Sequence, residues 1–77
     1  MISSKQIQIF YEIYKKGSVT SAAKELHISQ PAVSKTLAII EKSLGFKLFI
    51  RKGKKLTPTI EADELLSLIH ISEPTRL

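Results

Sequence analysis

A chain of 77 residues accommodates one small domain with a modest core, and its composition, 43% hydrophobic and 25% charged, argues against a disordered chain. The absence of cysteine excludes a disulfide framework and a cysteine-based zinc site, and the apolar runs fall far short of the ~20 residues that a membrane-spanning helix requires. The net charge of +5 is concentrated in one place: residues 45–58 carry five cations and no acid, whereas the other seven cations balance all seven acids.

The first predicted helix covers residues 3–16, where apolar side chains recur at the spacing of one helix face. The residues on that face are Ile7, Phe10, Tyr11 and Tyr14, widened by Ile9 and Ile13. Ser3 and Gln6 have the spacing of a capping box at the start of the helix, and Gly17 is suited to end it.

Two further helices are predicted over residues 18–26 and 30–44, separated by a turn of only three residues. Ser29 is a good N-cap for the third helix, and Pro31 is tolerated in its first turn. The core stripe of this helix has steps of four, three and four residues: Val33, Leu37, Ile40 and Leu44. Its opposite side carries Gln30, Ser34, Lys35, Ala38 and Lys42. The short polar side chains at the start of that side suit close approach to another surface.

The cationic segment is predicted to form a β-hairpin over residues 47–57 with Gly53 in its turn. Leu48 and Leu56 would then face the helices, while the lysines would crowd the tip. Residues 57–59 start a fourth helix that has acids in its first turns. A localised cationic patch attracts a polyanion, and the alternative is a solvated loop kept polar for solubility.

The carboxyl-terminal residues 66–77 resemble the conceptual translation of a sequencing-library adapter. We expect the reading frame to run from a gene fragment into adapter DNA near Leu66. Such a tail would carry no selected function, and the alternative is a natural helix end whose likeness to adapter is chance.

A supporting helix followed by two helices on a three-residue turn forms a helix-turn-helix unit, and the basic hairpin beside it has the layout of a wing. The predicted fold class is therefore mainly α: a three-helix winged helix-turn-helix with a small β-hairpin wing and the start of a linker helix. We expect residues 1–58 to form the winged domain, residues 59–65 to begin the linker helix, and residues 66–77 to be a non-native tail.

The stretch from Phe10 to Lys35 resembles the signature of LysR-type bacterial transcriptional regulators. The run Ser29-Gln30-Pro31-Ala32-Val33-Ser34 is its most specific part. The continuation to Arg51 is similar to that family's "LE-x-x-LG-x-x-LF-x-R" run, with Ile40-Glu41 in place of the leading pair. The likeness covers roughly residues 3–65, and it departs at Asp63, where the family usually has glycine in the linker helix.

The resemblance implies which residues touch DNA. Those at the family's DNA-contacting positions are Ser29, Gln30, Pro31, Ser34 and Lys35, with Thr20, Arg51, Lys52 and Lys54 as contacts to the DNA backbone. It also implies a homodimer or tetramer of the full-length protein, paired through the linker helix, and a larger effector-binding domain beyond it. We expect this fragment, which has only the start of that helix, to be a monomer.

The chemistry of single residues sharpens some of these roles and leaves others open. Gln30 can donate and accept in a bidentate contact with adenine. Lys35 can reach guanine or phosphate, and the hydroxyl of Thr20 is equally compatible with a phosphate contact and with ordinary polarity at a helix start. The aromatic residues are expected in the core rather than as platforms for stacked bases: Phe10, Tyr11, Tyr14, Phe46 and Phe49.

These patterns predict sequence-specific binding of double-stranded DNA for transcriptional control, by a cytoplasmic protein with no membrane partner. Catalysis, a metal and a cofactor are not expected, because the two histidines lie far apart and Asp63 is the only aspartate. The alternative is a winged helix that binds proteins and no longer binds DNA. The basic wing and the small polar pair Gln30 and Ser34 argue against that alternative.

Overall fold

The computed structural model describes residues 3–72, with side chains for residues 3–68. The elements in chain order are α1 (Ser4–Lys16), α2 (Val19–Leu26), α3 (Gln30–Leu44), β1 (Phe49–Lys52), β2 (Lys55–Pro58) and α4 (Ile60–Ser72). The predicted fold class, a mainly α winged helix-turn-helix, is confirmed. The last five residues of the predicted tail lie outside the described residues. Within residues 3–72, no helix has the length and apolarity needed to cross a membrane.

Local capping signals set the ends of α1. The Ser3 hydroxyl accepts the backbone N–H of Gln6 at 3.2 Å, and the Gln6 side chain accepts that of Ser3 at 3.0 Å, which confirms the capping box. At the other end Gly17 adopts φ +68° and donates its N–H to the carbonyl of Ile13. Its own carbonyl accepts the N–H of Leu56 at 3.1 Å, so this left-handed turn also holds the hairpin.

The core draws on all four helices and on the hairpin. Its buried residues are Ile9, Phe10, Ile13, Ala22, Ala23, Val33, Ile40, Leu48, Phe49 and Ala62. The two alanines give α2 a narrow apolar side, and the rings of Phe10 and Phe49 pack with centroids 5.7 Å apart. The predicted stripe of α3 is confirmed, with Val33 and Ile40 fully buried while Leu37 and Leu44 pack against the core from its edge.

The core prediction was wrong for Phe46, which is 39% exposed. The chain leaves α3 through Gly45 at φ +86°, and Leu48 takes the buried position, so Phe46 lies along an open groove with Ala38 and Lys42. Tyr11 is only half-buried, with the ammonium group of Lys15 5.0 Å from its ring centroid.

The hairpin has a different start from the one predicted. Its strands are antiparallel, with Phe49 opposite Pro58. Gly53 is the first of the two turn residues and adopts φ +62°. Residues 47 and 48 precede the ladder: the N–H of Leu48 donates to the Glu41 side chain, and the carbonyl of Lys47 accepts the Thr59 hydroxyl.

Candidate nucleic-acid interface

A tight turn between α2 and α3 presents the amino end of α3. His27 ends α2 in the left-handed conformation, at φ 60°, and its N–H donates to the carbonyls of Ala23 and Lys24. Ile28 packs against the core, and the hydroxyl of Ser29 accepts the N–H of Ala32 at 3.2 Å. The three-residue turn is thus fixed by backbone bonds, an apolar anchor and a cap.

The amino-terminal part of α3 has one buried side and one open side. All five residues predicted to touch DNA from this region are exposed: Ser29, Gln30, Pro31, Ser34 and Lys35. Val33 points the other way and is fully buried. Gln30 and Ser34 are one helical turn apart and lie on the same side, so this strip is free to approach a flat or grooved partner.

A hydrogen bond links α2 to the first residue of α3. The hydroxyl Oγ1 of Thr20 donates to Oε1 of Gln30 at 3.0 Å, and both side chains are exposed. From the sequence alone, Thr20 is compatible with a phosphate contact and with ordinary helix-start polarity, and its bond to Gln30 is not predicted. The two residues are ten positions apart on different helices, so no local pattern signals the contact.

The wing is an exposed cluster of cations. Arg51, Lys52 and Lys54 are exposed, and Lys52 lies directly opposite Lys55 across the hairpin. Like charges in that arrangement repel each other. Among the described side chains the ion pairs are Lys15 with Glu12 and Lys16 with Glu25, and none involves a wing cation.

Two side chains that sequence reasoning did not assign to the wing fix where it begins. Oε2 of Glu41 on α3 accepts the N–H of Leu48 at 2.7 Å and that of Phe49 at 3.3 Å. The Thr59 hydroxyl donates to the carbonyl of Lys47 at 2.8 Å and accepts the N–H of Ala62, which caps α4. The start of the wing is therefore attached to α3 and to the start of α4.

A further bond connects α4 with α1. The hydroxyl of Tyr14 donates to Oδ1 of Asp63 at 2.5 Å. This hydrogen bond, together with burial and the negative charge of Asp63, raises the pKa of Tyr14 above its ordinary value. Asp63 thus acts as an anchor between two helices. Within the described part of the chain, no three histidine or acidic side chains are grouped so as to hold a metal ion.

The family comparison covers the whole of this arrangement. The family model described as bacterial regulatory helix-turn-helix protein, lysR family, matches residues 4–63. The chain is 52% identical over 63 residues to the HTH-type transcriptional regulator DgcR of Pseudoalteromonas sp, a match that covers 82% of this chain and 22% of that protein. The chain spans about a fifth of the length of the curated relatives it matches.

Solved structures show the same fold. A transcriptional regulator of the LysR family from Eggerthella lenta DSM 2243 superposes with a TM-score of 0.85 at 32% identity, over 90% of this chain and 99% of that one. The DNA-binding domain in the crystal structure of a CbnR_DBD–DNA complex superposes with a TM-score of 0.73 at 27% identity, over 92% of this chain and 90% of that one. The second of these was solved on DNA.

Proposed function

This chain belongs to the lysR family of bacterial regulatory helix-turn-helix proteins, and from that premise we propose that it binds double-stranded DNA sequence-specifically for transcriptional control, without catalysis. The observation that carries the proposal is that the polar strip of α3 and the cations of the wing are all exposed, and that no wing cation is in an ion pair among the described side chains. A similar fold bound to DNA in the CbnR_DBD complex supports it.

The major groove of B-DNA, ~12 Å wide, admits one α-helix, and a recognition helix enters it with its amino end first. In our proposal Gln30 and Ser34 face base edges, while Lys35 reaches guanine or phosphate. The Ser29 hydroxyl accepts the N–H of Ala32, and the amino end of α3 that it caps is where the helix dipole favours anions. Pro31 lies in the first turn and has no N–H to leave unpaired.

The wing cations act on the DNA backbone in this proposal. Arg51, Lys52 and Lys54 lie on an exposed hairpin free of acids, and such cations release counterions from phosphate when they bind. Their contribution is therefore independent of sequence and depends on salt, whereas α3 supplies the discrimination between bases.

Assembly and location follow from the same proposal. We expect a homodimer or tetramer of the full-length protein, a monomer of this chain, and a cytoplasmic location where bacterial DNA lies. The proposed division is a winged domain over residues 1–58, the start of a linker helix over 59–65, and a non-native tail over 66–77.

The test is a binding titration with fluorescently labelled duplexes at several salt concentrations, after selection from a randomised pool of double-stranded oligonucleotides. We expect enrichment of particular duplexes and a selected duplex that binds more tightly than its scrambled version. The single strands of the same duplex are the matched control. A chain that retains no duplex at low salt would instead favour a winged helix that binds proteins.

A further inference from the structure

We propose that Thr20 is a positioning residue, which holds the side-chain amide of Gln30 so that position 30 reads hydrogen-bond acceptors on a base edge. The inference rests on the proposed function, because it concerns how the same surface selects its DNA. The observation behind it is the bond from Thr20 Oγ1 to Gln30 Oε1 at 3.0 Å.

Thr20 is well placed to hold another side chain. It is the second residue of α2, and the N-cap of that helix is supplied by Ser18, whose hydroxyl accepts the N–H of Ser21 at 3.2 Å. The hydroxyl of Thr20 is therefore not used in capping. Val19 packs against the core and Ala22 is fully buried, so the backbone that carries Thr20 is anchored on both sides.

The bond decides which end of the amide faces outward. A glutamine amide has one acceptor oxygen and two N–H donors, and the oxygen of Gln30 is engaged by Thr20. Among the side chains of residues 3–68, Nε2 of Gln30 has no acceptor, so its two donors remain for a partner. Holding a flexible glutamine before binding also removes part of the entropy loss of ordering it on DNA.

Donors at this position imply a definite preference among bases. In the major groove purines present N7, guanine adds O6 and thymine presents O4, all of them acceptors. Cytosine presents only the N4 amino donor there, which repels an N–H group. We therefore expect the base read by Gln30 to discriminate most strongly against cytosine. Adenine remains compatible through its N7, which accepts an N–H of Nε2, whereas cytosine has no such acceptor.

A direct phosphate contact by Thr20 is the competing role, and it predicts different behaviour. A phosphate contact would strengthen binding to every duplex alike and would add to the salt dependence. A positioning role would change the ratio between duplexes and leave the salt dependence unchanged.

The experiment compares Thr20→Val, which keeps the shape and removes the donor, with Thr20→Ser, which keeps the hydroxyl. The probes are the duplex that the wild-type chain selects from a randomised pool and its single-base variants. The base position that Gln30 reads is the one at which Gln30→Ala relaxes discrimination. With cytosine at that position, we expect the wild type to bind about tenfold more weakly than it binds the selected duplex. Thr20→Val should bring these two affinities close together, and Thr20→Ser should restore the difference.

The remaining arms separate the possible outcomes. In a Gln30→Ala background, Thr20→Val should have no further effect on the ratio, and urea unfolding should show all variants to be folded. The inference is overturned if Thr20→Val weakens all duplexes equally, or if Thr20→Ser fails to restore the ratio. A wild-type chain that retains no duplex would overturn the proposed function and this inference with it, and that outcome is seen before any variant is tested.

Discussion

The carboxylate of Glu41 accepts the backbone N–H of Leu48 at 2.7 Å, and this bond joins the proposed recognition helix to the first residues of the wing. Leu48 is fully buried, so its N–H has no access to water as a substitute partner. The same oxygen accepts the N–H of Phe49 at 3.3 Å. One side chain on α3 thus satisfies two donors at the place where the chain turns into the hairpin.

Replacing Glu41 with glutamine should lower the free energy of unfolding by about 1–3 kcal/mol, because hydrogen bonds from buried backbone donors to a charged acceptor are lost or weakened. Urea unfolding followed by circular dichroism measures this difference. The matched control is Glu64→Gln, since Glu64 is exposed on α4 and a surface change of this kind stays within about 0.5 kcal/mol. Equal effects of the two substitutions would contradict the role of Glu41.

The Glu41 bonds also show which features the sequence could predict. The bounds of α1 followed from the capping box of Ser3 with Gln6 and from Gly17, since these signals act over three or four residues. The exposed strip of α3 followed from the spacing of its apolar residues. The bond from Leu48 to Glu41 joins two residues that are not related by the periodicity of one helix or strand, so only the folded structure reveals it.

The site was predictable to a similar extent. Its exposed residues on α3 and in the wing could be named from the spacing and from the family resemblance, and the structure leaves all of them exposed. The pairing of Thr20 with Gln30 could not, because it depends on how two helices cross at a turn. The error at Phe46 has a related cause: Gly45 redirects the chain, so helical periodicity no longer applies after it.

The bond from Tyr14 to Asp63 predicts a loss of stability at high pH. The pKa of Tyr14 is raised in the folded state, so its stabilising effect is fully present below the unfolded value of 10.0 and is lost as the pH rises through the folded value. Between about pH 8 and pH 11 the wild type should therefore lose more free energy of unfolding than Tyr14→Phe, which cannot ionise.

Urea unfolding across that pH range measures the difference, and Asp63→Asn is the matched control because it keeps an acceptor oxygen and removes the charge. We expect an intermediate slope for Asp63→Asn. Parallel pH profiles for the wild type and Tyr14→Phe would show that the hydroxyl bond does not contribute to stability.

The surface of α4 predicts that the chain is a monomer at micromolar concentration. Within residues 60–65, Ala62 is buried and Leu65 packs against the chain's own core, which leaves Ile60 as the large exposed apolar residue of the proposed linker start. One such side chain at the start of α4 offers far less than the area of about 1,200 Å² that a stable interface buries. Analytical ultracentrifugation should give a single monomeric species, and a concentration-independent dimer would refute the prediction.

Removing one wing cation should weaken binding to all duplexes alike. Lys54→Ala is expected to lower the slope of log affinity against log salt by about 1 and to leave the ratio of selected to scrambled duplex unchanged. The control is Lys16→Ala. Lys16 lies outside the wing, at the end of α1, and its ammonium group is already paired with Glu25 at 3.6 Å. A change in the ratio for Lys54→Ala would indicate that this residue reads bases.

Removing the side chain of Gln30 should change the ratio of selected to scrambled duplex and leave the salt dependence of binding unchanged. Gln30→Ala is expected to cost about 1–3 kcal/mol on the selected duplex, because one base loses its partner, and to relax discrimination at a single position. Binding to the scrambled duplex should fall much less, and the salt slope should stay the same, because no charge is removed.

Gln8→Ala is the matched control, since Gln8 is an exposed glutamine on α1 and its loss removes the same chemical group from another helix. Titrations of both variants against the selected duplex and its single-base variants give the required ratios. Equal losses on selected and scrambled duplexes for Gln30→Ala would mean that its side chain does not face a base. The discrimination would then have to come from other residues of α3, and Ser34 and Lys35 would be the next to substitute.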